Sequence, residues 1–149
     1  DGTVAFVAES NASLGIYARA PGKPLRLIAN TNTRLASGGT FQDFPEPPSV
    51  GCGTVVYYGA TAGFSSGIYL EVIAGSQPKP LLTLADEVLG AGIVYIGFGP
   101  QSFNESTGEI ATYLVLDDKA QTDGIYAVGH GNIARACRSP SSRTMEISV

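Results

Sequence analysis

The chain has 149 residues, within the range of one domain able to bury its own core. Its 15% charged content is well below the usual quarter, and its net charge of −4 with nine scattered Lys and Arg argues against nucleic acid or an anionic membrane as partner. No apolar run approaches the ~20 residues of a membrane-spanning helix, so no membrane insertion is expected.

The chain opens at Asp1-Gly2, without Met or a charged-then-apolar leader, and runs directly into a strand pattern. A processed chain, or a piece of a longer one, is expected to look like this. The first element, Gly2-Thr3-Val4-Ala5-Phe6-Val7-Ala8, is β-branched and aromatic with apolar residues on both faces. A strand covered on both sides reads this way. A short turn leads to Gly15-Ile16-Tyr17 and a second strand over 16–20. Lys23-Pro24-Leu25-Arg26-Leu27-Ile28-Ala29 supplies a third. After a longer connection, 44–50 reads as a fourth.

The same order then begins again. Gly53-Thr54-Val55-Val56-Tyr57 matches the first element and Gly67-Ile68-Tyr69 the second. Lys79-Pro80-Leu81-Leu82-Thr83-Leu84-Ala85 matches the third and 98–103 the fourth. The third copy is looser, with Gly108-Glu109-Ile110-Ala111-Thr112-Tyr113 shifted by one place, an acidic insert at Asp117-Asp118, then Gly124-Ile125-Tyr126. The spacing of about 50 to 57 residues marks a repeat architecture. Three units are expected within one repeat domain spanning 1–149, at approximately 1–52, 53–107 and 108–149. Gly51 and Asn104 align and are the expected left-handed turn residues. No segment combines a helical period with capping signals.

The expected fold is therefore all-β, with repeated four-stranded antiparallel units arranged like propeller blades. The phase is permuted: the chain starts at the second strand of a unit, and 145–149 reads as a first strand. About three blade-equivalents do not close a ring alone. Two chains would combine, strands would pair between neighbours, or the chain would belong to a larger repeat protein. An unpaired edge at 145–149 would invite aggregation, so a partner for it is expected.

Three segments, Pro47-Pro48-Ser49-Val50, then Gly53-Thr54-Val55-Val56-Tyr57, then Gly67-Ile68-Tyr69, resemble the tandem β-propeller-type repeats of secreted or surface-anchored bacterial proteins. The resemblance covers nearly the whole chain and consists of turn glycines, core aliphatics and aromatic plugs. It implies a propeller-like all-β fold and an extracellular or cell-surface location. It brings no catalytic residues.

Candidate chemistry is sparse. Asn11-Ala12-Ser13 and Asn104-Glu105-Ser106 are glycosylation sequons in expected turns, so Asn11 and Asn104 are candidate glycan sites. Cys52 and Cys137 read either as one disulfide, contributing about 3 to 4 kcal/mol, or as two separate small apolar side chains; the sequons lean towards the bond. Asp117, Asp118 and Asp123 could bind Ca²⁺, but their spacing fits no known calcium loop and a solvated turn is favoured. His130, the one histidine, sits between glycines in an expected hairpin turn, and zinc ligands are too few for the common sites. Glu9, Asp43, Glu46, Asp86, Glu87, Glu105 and Glu109 do not recur at matched positions, as a glycosidase pair repeated by unit would. Tyr17, Tyr69 and Tyr126 recur once per unit, either as inter-unit packing or as a sugar-stacking surface. The expected function is a secreted, non-enzymatic β-repeat protein without cofactor, self-associating into a homo-oligomer or filament. A carbohydrate-binding propeller is the alternative, and a glycoside hydrolase or lyase fragment comes third.

Overall fold

A computed structural model describes residues 2–10, 13–73, 77–120 and 122–129. It is all-β, with no helix among the described residues and every strand pairing antiparallel. Asn11, His130, Cys137 and the expected strand 145–149 lie outside the described residues.

Three sheets follow in chain order. The first is the meander β1 (Val4–Ser10), β2 (Ser13–Arg19) and β3 (Arg26–Asn30). The central sheet holds four strands in sequence order: β4 (Ser49–Gly51), β5 (Thr54–Gly59), β6 (Gly67–Val72) and β7 (Lys79–Thr83). The third comprises β8 (Glu87–Val88), β9 (Ala91–Gly97), β10 (Phe103–Asn104), β11 (Glu109–Leu116) and β12 (Asp123–Gly129). Along β11, β10 pairs with Glu109 and Ile110 while β9 pairs with residues from Tyr113 onward; β12 pairs with β11 over 109–115. The sheets do not follow the expected unit boundaries. The 52/53 boundary falls inside the β4–β5 turn and 107/108 inside the β10–β11 turn, so the central sheet takes β4 from the first unit and the third sheet takes β8, β9 and β10 from the second. No closed barrel or ring of sheets forms among the described residues.

The turns explain one departure from expectation. Gly51 and Asn104 are not the left-handed residues. Both are the last residues of short strands, still extended and paired with Thr54 and Glu109. Positive φ falls instead on Cys52 (48°) and Gly53 (70°), the two-residue turn between β4 and β5, and on Gly108 (74°) before β11. Leu89 and Gly90 (55° and 79°) repeat the two-residue turn between β8 and β9. Two consecutive positive φ values give the hairpin turn whose twist matches that of the strands. Gly51 serves a different purpose: a Cβ there would lie 2.8 Å from Cβ of Glu105, so its bareness lets the third sheet approach β4. Beside it, the Phe103 N–H donates to Ser49 Oγ at 3.3 Å, joining β10 of the third sheet to β4 of the central one.

Strand register shows which residues are equivalent. Phe6 pairs with Tyr17, Tyr57 with Tyr69, and Thr112 with Tyr126. One residue on, Val7 pairs with Ile16, Tyr58 with Ile68, and Tyr113 with Ile125. The shift in the third copy is thereby resolved. Thr112 takes the aromatic position, and Tyr113 points to the opposite side of the sheet.

Because side chains alternate across a strand, each sheet has two faces. The central sheet sends Val55, Tyr57 and Tyr69 towards the first sheet, where they pack with Ile16, Ala18, Ala29 and with Phe41 and Phe44 of the 31–48 connection. Phe41 lies edge-on to Tyr69, ring centres 4.9 Å apart, and occupies the space a Cβ of Gly59 would need. On its other face Val56, Ile68, Leu70 and Leu82 pack against Ile96, Ile110, Leu114 and Leu116 of the third sheet. The central sheet is buried on both sides, as its apolar sequence predicts.

The repeated Gly-Ile-Tyr glycine is needed for close approach between strands. A Cβ on Gly67 would sit 2.1 Å from the Leu82 carbonyl oxygen and 2.6 Å from Thr83 Cα; on Gly15 it would sit 3.0 Å from the Ala29 oxygen. In both hairpins the strand after Gly-Ile-Tyr crosses over the glycine beside an irregularity in register. Gly124 meets nothing nearer than Tyr126 Cε2 at 3.7 Å.

Candidate functional site

The surfaces that stand out are the two outer faces of the sheet stack. On the first sheet, alternation turns Ala5 and Val7 inward and leaves Val4 (55% exposed) and Phe6 (39%) outside. Cross-strand pairing places Arg19 beside Val4, and Tyr17 between Phe6 and Leu27. Phe6 and Tyr17 stack at 6.0 Å, and Leu27 is 47% exposed. This face is a row of apolar and aromatic side chains with one cation, Arg19.

On the third sheet, alternation turns Ile110, Thr112, Leu114 and Leu116 inward and leaves Ala111, Tyr113 and Val115 outside. Register puts Gly97 and Ile125 beside Tyr113, and Tyr95 and Asp123 beside Val115. Ile125 is 73% and Tyr95 53% exposed, and the Tyr95 and Tyr113 rings meet at 6.2 Å. The Tyr113 hydroxyl donates to Asp123 Oδ2, which raises the tyrosine pKa. This outer face is apolar, with acidic Glu109 and Asp123 near its margin.

A second unusual site is buried. Glu71 pairs with Val55 and follows Tyr69 by two, so it lies on the face that meets the first sheet. It is 5% exposed, and its Oε2 has no hydrogen-bond partner among the described residues; the same holds for the Tyr57 hydroxyl. Burial pushes the Glu71 carboxyl up from 4.5 to about 7, partly opposed by the Arg26 guanidinium. Burial also raises the Tyr57 pKa, with the Glu71 carboxylate adding to it. Glu71 was not among the carboxylates singled out from sequence. Alternation from Tyr69, whose strand is apolar on both faces, was the signal that could have found it.

The candidates taken from sequence are dispersed. Asn104 is exposed, its Oδ1 accepting the Ser106 N–H at 3.0 Å in the β10–β11 turn. Cys52 is disulfide-bonded and occupies the first position of the β4–β5 turn. Among the seven candidate carboxylates, Asp86 accepts from the Thr83 N–H (2.7 Å) and hydroxyl (3.0 Å), and Asp43 accepts from the Phe44 N–H at 2.7 Å. Glu105 packs on Gly51. Glu9, Glu87 and Glu109 are exposed and Glu46 is half-buried.

In the acidic loop, Asp118 accepts from the Thr122 N–H (2.7 Å) and hydroxyl (2.5 Å), which hold its pKa low. Among the described residues no three His, Cys, Asp or Glu gather as a metal site would require. Of the recurrent tyrosines, Tyr69 is buried and donates to the Ser65 carbonyl at 2.5 Å. Tyr126 packs in the core between the central and third sheets, while Tyr17 lies half-buried on the outer face. Set against protein-family models, curated proteins and solved structures, the chain matches none of them.

Proposed function

We propose that this chain is a non-enzymatic β-repeat building block that works outside the cell or at its surface by assembling with copies of itself, its sheets arranged as propeller blades. The observation that carries the reading is the pair of apolar outer faces. Each presents aromatic and aliphatic side chains of the kinds buried between the sheets, and exposed apolar patches of this sort mark interaction sites. The hydrogen bond joining β4 to β10 supports the blade arrangement, since it ties short strands of neighbouring sheets together. The non-enzymatic reading is favoured by the carboxylates singled out from sequence, which hold turns or lie dispersed, and by the absence of a second carboxylate beside buried Glu71 among the described residues. Light scattering on the purified chain tests the assembly: a mass of several chains is expected, and a strict monomer at high concentration overturns it.

A carbohydrate-binding role is the second reading, favoured by the exposed rings of Tyr95 and Tyr113 beside the acidic Asp123. Stacking rings flanked by polar groups suit a sugar. Selective retention on a glycan array, lost in Tyr95→Ala, would promote it.

A further inference from the structure

The three sheets point the same way along the stack. The side that carries Tyr57 and Tyr69 in the central sheet faces the first sheet, and the equivalent side of the third sheet, with Thr112 and Tyr126, faces the central one. In the first sheet that same side carries Phe6 and Tyr17, and it faces outward. The opposite side behaves consistently. Ile16 and Ile68 are each 0% exposed beneath the next sheet, whereas their equivalent Ile125 is 73% exposed. Likewise Tyr57 and Thr112 are 0% and 2% exposed, while Phe6 is 39% exposed. The chain thus makes one kind of junction twice and leaves one half of it open at each end.

We infer that the outer face of the third sheet receives the outer face of the first sheet of a second copy of this chain, continuing the internal stack head to tail. The inference rests on the assembly reading and specifies its geometry. A contact between two different faces is not self-complementary, so repeating it closes a ring or extends a fibre instead of stopping at a two-fold dimer. Charge favours the same pairing. Arg19 lies on the first face, whereas Glu109 and Asp123 lie on the third, so unlike ends attract and two third-sheet ends repel.

Phe6→Glu spoils only the first face and Ile125→Glu only the third; both positions are exposed, so the sheets should still form, and like charges keep the doubly substituted junction broken. Light scattering should find each variant monomeric, its self-association weakened about 30-fold or more. An equimolar mixture should restore one intact junction and give a 1:1 heterodimer and nothing larger. If either variant alone still forms dimers, the head-to-tail geometry is wrong while assembly stands. A monomeric wild type overturns both. Circular dichroism checks folding. Should a charge unfold a sheet, Phe6→Ser and Ile125→Ser carry the same comparison.

Discussion

Replacing the Gly-Ile-Tyr glycines one at a time by alanine should produce a graded loss of stability set by the nearest strand. At Gly67 the added methyl would stand 2.1 Å from the Leu82 carbonyl oxygen and 2.6 Å from Thr83 Cα. Both obstacles are backbone, so no side chain can rotate away. To restore van der Waals contact β7 must retreat by about 1 Å, loosening the Gly67–Thr83 and Ile68–Leu82 pairs and the packing of buried Leu82. Overpacking plus weakened pairing amounts to about 3 kcal/mol, or roughly 6–12 °C in melting temperature for a chain of this size. Gly15 has its nearest obstacle at 3.0 Å, a gap that a few tenths of an ångström would relieve, and should lose about 1 kcal/mol. Gly124 meets only the Tyr126 ring at 3.7 Å, and alanine there should be neutral or stabilise by about 0.5 kcal/mol through the unfolded state. Urea unfolding gives all three from the shift in midpoint at constant slope. Equal losses at the three positions would refute the close-approach account and return the glycines to a generic role as strand breakers.

Three further perturbations address the buried groups and the inter-sheet contact. Glu71→Gln should stabilise the protein by about 2 kcal/mol near pH 8. The wild-type carboxyl is protonated more readily folded (about 7) than unfolded (4.5), so its contribution is full below 4.5 and is lost as pH rises through 7; the variant's advantage should accordingly vanish in acid. Urea midpoints across that range decide it, and a pH-independent difference would count against the buried carboxylate. Tyr57→Phe removes a buried hydroxyl with no partner and should hold stability or raise it by about 1 kcal/mol, a calorimetric loss of similar size being the contrary result. Gly51→Ala should lose about 1 kcal/mol against the Glu105 side chain and regain most of it in combination with Glu105→Ala, so an additive double-mutant cycle would show that the two do not meet.

How much of this was legible in the sequence depends on what each residue answers to. The strands were readable because every sheet meets the same local problem, a chain apolar on both faces closed by a tight turn. The Gly-Ile-Tyr triplet marked that recurrence, although the triplet alone does not reveal that Gly67 lies under another backbone. The turn assignment missed because a matched Gly51 and Asn104 suggest shared φ, whereas register keeps both extended and passes positive φ to Cys52, Gly53 and Gly108. The aromatic position of the third unit was obscured by the same cause. Residue type favours Tyr113, but the four-residue offset from Gly108 and hairpin register with Tyr126 both select Thr112, whose hydroxyl reaches the Gly97 carbonyl at 2.7 Å. Phe41 comes from a long connection without repeat signal, and Phe44, expected to open the fourth strand over 44–50, precedes β4, so their place in the core depends on tertiary packing that no local pattern specifies.

The two junctions inside the chain are built from the same faces yet differ in their chemistry. Between the central and third sheets the contact is mainly aliphatic and, among the described residues, leaves no buried polar side-chain atom unpartnered. Between the first and central sheets it is aromatic and encloses both unpartnered polar atoms, the Tyr57 hydroxyl and Glu71 Oε2. A low-dielectric contact that traps such groups is weaker than one that does not, and weaker still once the carboxyl ionises. The residue two places after each repeated tyrosine shows the consequence: Glu71 in the first internal junction, Val128 in the second, and Arg19 on the open face. In a head-to-tail contact Arg19 would occupy the setting that Glu71 occupies within the chain, but facing a sheet whose margin carries Asp123 and Glu109. The intermolecular junction would then set one cation against two carboxylates, where the first internal junction sets buried Glu71 against Arg26 alone, so the open ends need not be the weak points of the stack.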